Sequence, residues 1–297
     1  RSPYASPIVV VRKKNGSIRM CVDYRTLNQR TIPDQYTTPR IEDALNCLVG
    51  SKWFSVLDLR SGYYQIPMHP EDKEKTAFIT PLGFFEFDRL PQGLSGAPAT
   101  FQRIMENSWR YASPGILDRL EKEGLKLSLD KCKFFQSSVT YVGHVVSAEG
   151  ISTDPSKIEA VTSWPRPRTI TELRSFLGFC GYYRRFVEGF SKTARPLSQL
   201  LQNDIGVDET DEDILLKKPK GPRKSKECIE NRWTSECEGA FEQLKYCLTH
   251  APVLAYADSR KPYTLHVDAS REGLGGVLYQ EHDQKLRPVA FISRSLS

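Results

Sequence analysis

At 297 residues, 39% of them hydrophobic and 26% charged, the chain has the balance of a folded, water-exposed protein of about two domains. It holds no run of 18 apolar residues and opens with no basic-apolar-small leader, which excludes a helical membrane span and predicts no secretion. The net charge of +6 suits a polyanionic partner without requiring one, and seven cysteines with no CxxC pair predict reduced thiols in the cytoplasm or nucleus.

Residues 1–7 lack an initiator Met and run straight into the strand Ile8–Val11, so the chain is expected to be a piece of a longer one. A basic turn, Arg12 to Gly16, leads into Ile18–Asp23, whose alternation puts Ile18, Met20 and Val22 on one face and Arg19 on the other. Val56, Leu57 and Leu59 predict the next strand. It holds Asp58 at its end, ahead of the turn Ser61-Gly62 and the aromatics Tyr63 and Tyr64. A carboxylate fixed at a strand terminus beside turn amides is placed to meet a metal and a phosphate. Thr76–Thr80 and Phe84–Phe87 predict two strands around Pro81-Leu82-Gly83. The loop from Leu90 opens a helix with Pro98 in its first turn, and Phe101, Ile104, Met105 and Trp109 recur at core spacing.

Further on, Lys131–Phe135 and Val139–Ser147 predict a strand pair in which Gly143 permits close backbone approach. Asp154 caps a helix that Pro155 opens. Thr169 and Glu172 form a capping box for a helix with Leu173, Phe176, Leu177 and Cys180 near one face. Its end, Tyr182-Tyr183-Arg184-Arg185, suits either a nucleic-acid backbone or simple helix-end packing. Residues 204–213 hold six acids and no base, and 217–226 six bases and no acid, so residues 203–232 read as a mobile linker. Ala240, Phe241, Leu244 and Leu248 then give a short amphipathic helix, followed by strands at Pro262–Ser270, Leu274–Gln280 and Pro288–Ile292. Cys247 and His250 have ligand-like spacing, but no second pair stands near enough to complete a zinc site.

Several motifs, in order, carry a family resemblance: Tyr4-Ala5-Ser6-Pro7, Val22-Asp23-Tyr24-Arg25-Thr26-Leu27-Asn28, Asp58-Leu59-Arg60-Ser61-Gly62-Tyr63-Tyr64-Gln65-Ile66, Lys75-Thr76-Ala77-Phe78 and Ala97-Pro98-Ala99-Thr100-Phe101-Gln102. They resemble the reverse transcriptases of gypsy-like LTR retrotransposons. The resemblance implies an α+β fingers-palm-thumb body and, from Trp233, the opening strands of an RNase H-like domain. It implies fingers and palm at 1–150, thumb-like helices at 151–202, a charged linker at 203–232, and a connection with the start of the RNase H-like domain at 233–297. By the same resemblance Asp58 is a palm metal ligand for Mg2+, and Asp268 the first RNase H metal ligand. Lys13, Arg19, Ser61, Gly62, Tyr63 and Gln92 surround a deoxynucleoside triphosphate, and Tyr141, Val142, Gly143 and His144 grip the primer of an RNA or DNA primer-template.

One family feature has no counterpart. A Tyr-x-Asp-Asp hairpin should follow the helix at Phe101–Trp109, yet the chain reaches Gly124 only 23 positions after Phe101, near 110–116 passing directly into the family's later segment. No Asp-Asp pair occurs anywhere in the chain. One carboxylate cannot place two divalent ions about 4 Å apart, so no DNA synthesis is expected. The helix that supplies the RNase H glutamate is not found before Ser297, so ribonuclease activity is not expected either. A passive nucleic-acid-binding module and a product without function are the competing expectations.

Overall fold

The computed structural model describes residues 2–12, 16–110, 115–202, 228–271 and 273–296. The chain forms two compact units, the first from residues 1–40 and 55–134, the second from residues 41–54 and 135–297. In chain order the elements up to the end of the first unit are β1 (Ser6–Arg12), β2 (Ile18–Val22), α1 (Arg25–Arg30), α2 (Ile41–Asn46), β3 (Phe54–Val56), β4 (Phe78–Thr80), β5 (Gly83–Phe85), α3 (Ala97–Arg110), α4 (Ile116–Lys122) and β6 (Lys133–Gln136). There follow β7 (Ser138–Tyr141), β8 (His144–Ser147), β9 (Gly150–Thr153), α5 (Pro155–Thr162), α6 (Ile170–Tyr182), α7 (Phe190–Gln202), α8 (Ser235–Thr249), β10 (Tyr263–Ala269), β11 (Gly273–His282) and β12 (Lys285–Ser295).

In the first unit a four-stranded sheet has the order β2-β1-β4-β5. β1 runs antiparallel to β2, with Ile8 opposite Val22, and parallel to β4, with Ser6 opposite Phe78. Val22, Tyr24 and Phe78 form its core with Ile8, Leu27, Phe87 and Leu94 around them. The Tyr24 hydroxyl satisfies itself by donating to the Thr76 carbonyl at 2.8 Å. Of the apolar face expected on β2, only Val22 is buried; Ile18 and Met20 are exposed and line a cleft. A second cluster, Ile66, Leu90 and Ala97, packs against Tyr63, Phe101 and Ile104, so the stripe on α3 is divided between core and cleft. The loop before residue 40 is tied to α3 by Arg103, which pairs with Asp34 at 2.7 Å and lies over the Tyr36 ring.

The second unit is helical with two antiparallel three-stranded sheets, ordered β7-β8-β9 and β10-β11-β12. Its helices begin where the sequence supplies caps. Asp154 accepts from the Ser156 amide at 3.0 Å, Thr169 from the Glu172 amide at 3.2 Å and Thr234 from the Cys237 amide at 3.3 Å. The Glu172 carboxylate reaches back to the Arg168 amide at 2.8 Å, closing the capping box one residue earlier than its usual form. Ile170, Leu173, Phe176, Leu177 and Cys180 of α6 are buried, and Phe176 meets Phe241 of α8 at 4.6 Å between ring centroids. The end of the charged segment is built into this unit: Ile229 is buried, and its amide donates to the Arg168 carbonyl. Residues 203–227, which hold the acidic and basic blocks, lie outside the described residues.

β9 is an element that the sequence analysis did not place. Gly150 starts it at φ +140°, and a Cβ there would stand 2.1 Å from the Leu254 carbonyl oxygen, so glycine is required. The Glu149-Gly150 turn ahead of Ile151 is the signal that could have found it.

Candidate functional site

Asp58 stands two residues beyond β3, held by pairing with the segment that follows α4. Leu59 bridges Leu127, the Ser128 amide donates to the Asp58 carbonyl at 2.8 Å, and the Arg60 amide to the Lys126 carbonyl at 2.9 Å. Gln65 fastens the two segments. Its Nε2 donates to the carbonyls of Arg60, at 2.6 Å, and Lys126, at 3.0 Å, while its Oε1 accepts from the Lys126 amide at 2.7 Å. Neither Gln65 nor Lys126 was singled out in the sequence, because their partnership spans 61 residues and leaves no local pattern.

Above this frame lies a cleft of about 880 Å3, lined by Arg19, Asp58, Ser61, Gly62, Tyr63, Gln92 and Lys131 among apolar neighbours. Asp58, Arg19, Ser61, Gly62, Tyr63 and Gln92 thus line one cleft, together with Lys131. Lys13 lies outside the described residues. Ser61 is left-handed at φ +51°, which turns the chain sharply into the helical turn Gly62–Gln65. A Cβ on Gly62 would come within 3.0 Å of the Phe101 ring, and Tyr63 meets the same ring edge-on at 5.3 Å. The small residue and the aromatic thus set how closely the turn sits on α3. Across the cleft, Arg19 Nη2 donates to Gln92 Oε1 at 2.5 Å.

The donor set does not fit a two-metal centre. Asp58 is the one carboxylate among the described lining residues, and Lys131 Nζ lies 3.7 Å from its Oδ1. Among the described residues, no group of three His, Cys, Asp or Glu side chains is placed to hold a metal ion, and this includes the surroundings of Asp268. Asp268 is exposed on β10, opposite Gly275 of β11.

In the second unit, Tyr141, Val142, Gly143 and His144 form the β7–β8 turn. Val142 and Gly143 have φ of +45° and +75°. Two tyrosines at the end of α6 hold this turn: Tyr182 donates to the Val142 carbonyl at 2.5 Å and Tyr183 to the Gly143 carbonyl at 2.8 Å. Burial pushes the Tyr183 phenol up to about 12. His144 is buried under Tyr182, Tyr183 and Phe186, and its Nδ1 lies 3.0 Å from the Val142 carbonyl. Burial holds the imidazole below its ordinary value; Arg185 adds to the shift, while the Val142 carbonyl opposes it.

The helix end Tyr182-Tyr183-Arg184-Arg185 takes the packing alternative. Arg184 donates to the Ser293 carbonyl at 2.6 Å, and the buried Arg185 donates through Nη2 to the Val289 carbonyl at 3.2 Å while its Nε and Nη1 have no hydrogen-bond partner among the described residues, so both guanidinium groups are packed against β12. Basic charge next to aromatics had suggested a nucleic-acid groove. Contacts more than 100 residues away in sequence take it instead.

Comparison with known proteins places these features. Residues 11–114 match the family model described as "Reverse transcriptase (RNA-dependent DNA polymerase)", and residues 233–297 match "RNase H-like domain found in reverse transcriptase". The chain is 37% identical over 326 residues to the retrovirus-related Pol polyprotein from transposon opus of Drosophila melanogaster, covering all of this chain and 31% of the relative. Against that from transposon gypsy of the same fly it is 36% identical over 328 residues, covering all of this chain and 30% of the relative. The chain thus spans about a third of the length of these curated relatives. An alignment of 326 positions against 297 residues leaves at least 29 positions of the opus relative without a counterpart here. The fold is that of the foamy viral protease-reverse transcriptases. The structure described as bound to double-stranded DNA and marked dRH gives a TM-score of 0.82 at 23% identity, covering all of this chain and 52% of that one. The structure with an RNA/DNA hybrid gives 0.78 at 23% identity, covering 100% and 40%. With both family models in order and Pol relatives aligned along its whole length, the chain matches the reverse transcriptase and RNase H-like part of LTR-retrotransposon Pol polyproteins.

Proposed function

We propose that this chain is a retrotransposon RNA-directed DNA polymerase with an RNase H-like region whose polymerase centre is incomplete, so that it does not synthesise DNA. The observation that carries this reading is the single carboxylate of the cleft, Asp58, with no second acid among the described residues lining it. The relatives' 29 or more unmatched positions support it, as does the end of the reverse transcriptase match at residue 114, where the expected hairpin is missing. In this reading Arg19, Ser61, Gly62, Tyr63 and Gln92 are a nucleotide-binding surface, and Lys13, outside the described residues, is proposed with them. Tyr141 to His144 are the primer grip. Residues 1–150 are fingers and palm, 151–202 the thumb, 203–232 the linker, and 233–297 the connection and RNase H-like start. The foamy viral relatives in fold were solved with double-stranded DNA and with an RNA/DNA hybrid, which supports a primer-template as partner. Mg2+ is the ancestral cofactor, and the chain's donors at Asp58 do not suffice for a pair of such ions. Residues 233–297 carry one acid of the RNase H set, Asp268, so ribonuclease chemistry needs carboxylates from outside them.

The passive binding-module reading is weakened, because Arg184 and Arg185 are bonded to β12 carbonyls. The test is restoration. Inserting a Tyr-x-Asp-Asp hairpin segment of the family between Tyr111 and Gly115 should produce primer extension that Asp58→Asn abolishes. If the restored chain folds and still does not extend, the missing segment is not the cause of the defect.

A further inference from the structure

Resting on the reading of Asp58 as half of a metal site, we propose that Lys131 is the resident cation of Asp58, so that the cleft does not recruit a divalent ion. Three observations lead there. The ammonium of Lys131 lies 3.7 Å from Asp58 Oδ1. Its position follows from the backbone: the Ser128 amide donates to the Asp58 carbonyl at 2.8 Å, and the Lys131 amide donates to the Ser128 carbonyl at 2.9 Å. The turn Leu129–Lys131 is therefore built on Asp58 itself, and returns a lysine to the carboxylate whose strand it is hydrogen-bonded to. Finally, the charged side chains lining the cleft among the described residues are Arg19, Lys131 and Asp58, two cations to one anion. A site meant to concentrate divalent cations needs the opposite balance.

The electrostatics favour the lysine over a metal. A divalent ion on Asp58 would stand close to an ammonium group, and even at the dielectric of water that repulsion lowers affinity by about tenfold. One half-exposed carboxylate offers too little to offset it. Both side chains are solvent-exposed, so the pair contributes little to stability, and its effect is on which cation the carboxylate meets.

Zero-length carbodiimide coupling of the full chain reads the pair directly. The reagent activates the Asp58 carboxylate, the Lys131 amine attacks the acyl carbon, and the urea leaves, giving an Asp58–Lys131 amide found by peptide mass spectrometry. The expected result is a cross-link of equal yield in metal-free buffer without carboxylate chelators and in millimolar Mg2+. Failure to form it, or its suppression by Mg2+, overturns the proposal. In parallel, Mn2+ titration followed by electron paramagnetic resonance should show Lys131→Met raising affinity about tenfold, with Asp58→Asn reversing the gain. Equal Mn2+ binding by wild type and Lys131→Met also overturns it. Neither readout depends on polymerase activity, so the polymerase reading stands or falls separately.

Discussion

Gln65 shows how one side chain sets the position of another it never touches. Its amide makes three hydrogen bonds that lace residue 60 to residue 126, and so fixes the strand end that carries Asp58. Gln65→Ala removes all three and leaves the Lys126 amide and two carbonyls to find water. The expected loss is about 1–3 kcal/mol, measured by urea unfolding, with the midpoint lowered and the slope unchanged. Asp58, Tyr63, Arg19 and Gln92 were legible as a cluster from motif order. Gln65 and Lys131 were not, since a bond across 61 residues and a lysine returned by a turn have no periodic signature.

Among the elements, the β7–β8 turn and the end of α6 form the most tightly specified junction. Gly143 combines φ +75° with a Cβ position 2.8 Å from the Tyr183 hydroxyl. Gly143→Ala therefore strains the backbone and displaces the hydroxyl that bonds its own carbonyl, and should cost about 1–3 kcal/mol by thermal or urea unfolding. Gly143→Ala should cost more than Gly178→Ala, where no atom lies within 4 Å of the added methyl. His144 gives this junction a pH dependence. Its pKa in the fold is lowered by burial, so below the ordinary value near 6.5 the unfolded chain binds the extra proton and the folded chain does not. Stability is therefore complete above that pH and falls as the pH drops toward the lowered value, with Arg185 and Glu42 as the neighbouring charges. His144→Gln should flatten the stability profile just below pH 6.5, read by urea midpoints across that window. The capped helices α5 and α6 were legible because Asp154 and Thr169 act within three residues of themselves, and α8 from the spacing of Ala240, Phe241, Leu244 and Leu248; its cap, Thr234, was not singled out. The fate of Arg184 and Arg185 was not, because β12 lies more than 100 residues further on.

At the scale of the whole molecule, the chain keeps the fold of a polymerase, and the proposed reading is that its chemistry is reduced. The four-stranded sheet, α3 and the Asp58 cleft persist because each rests on local packing: Tyr24 and Phe78 in one core, Ile66 and Leu90 in the other. Direct pairing of Leu59 with Leu127 lets the strand that bears Asp58 find a partner although α3 and α4 stand only a few residues apart. The chain aligns in fold along its full length with reverse transcriptases, and the proposed loss of catalysis rests on the need for a second acid at a defined distance from Asp58. Primer extension by the unaltered chain tests this most directly, on an RNA or DNA template with Mg2+ or Mn2+. The account predicts no product above background with either metal, and an identical result for Asp58→Asn. Extension by the unaltered chain that Asp58→Asn abolishes would contradict it.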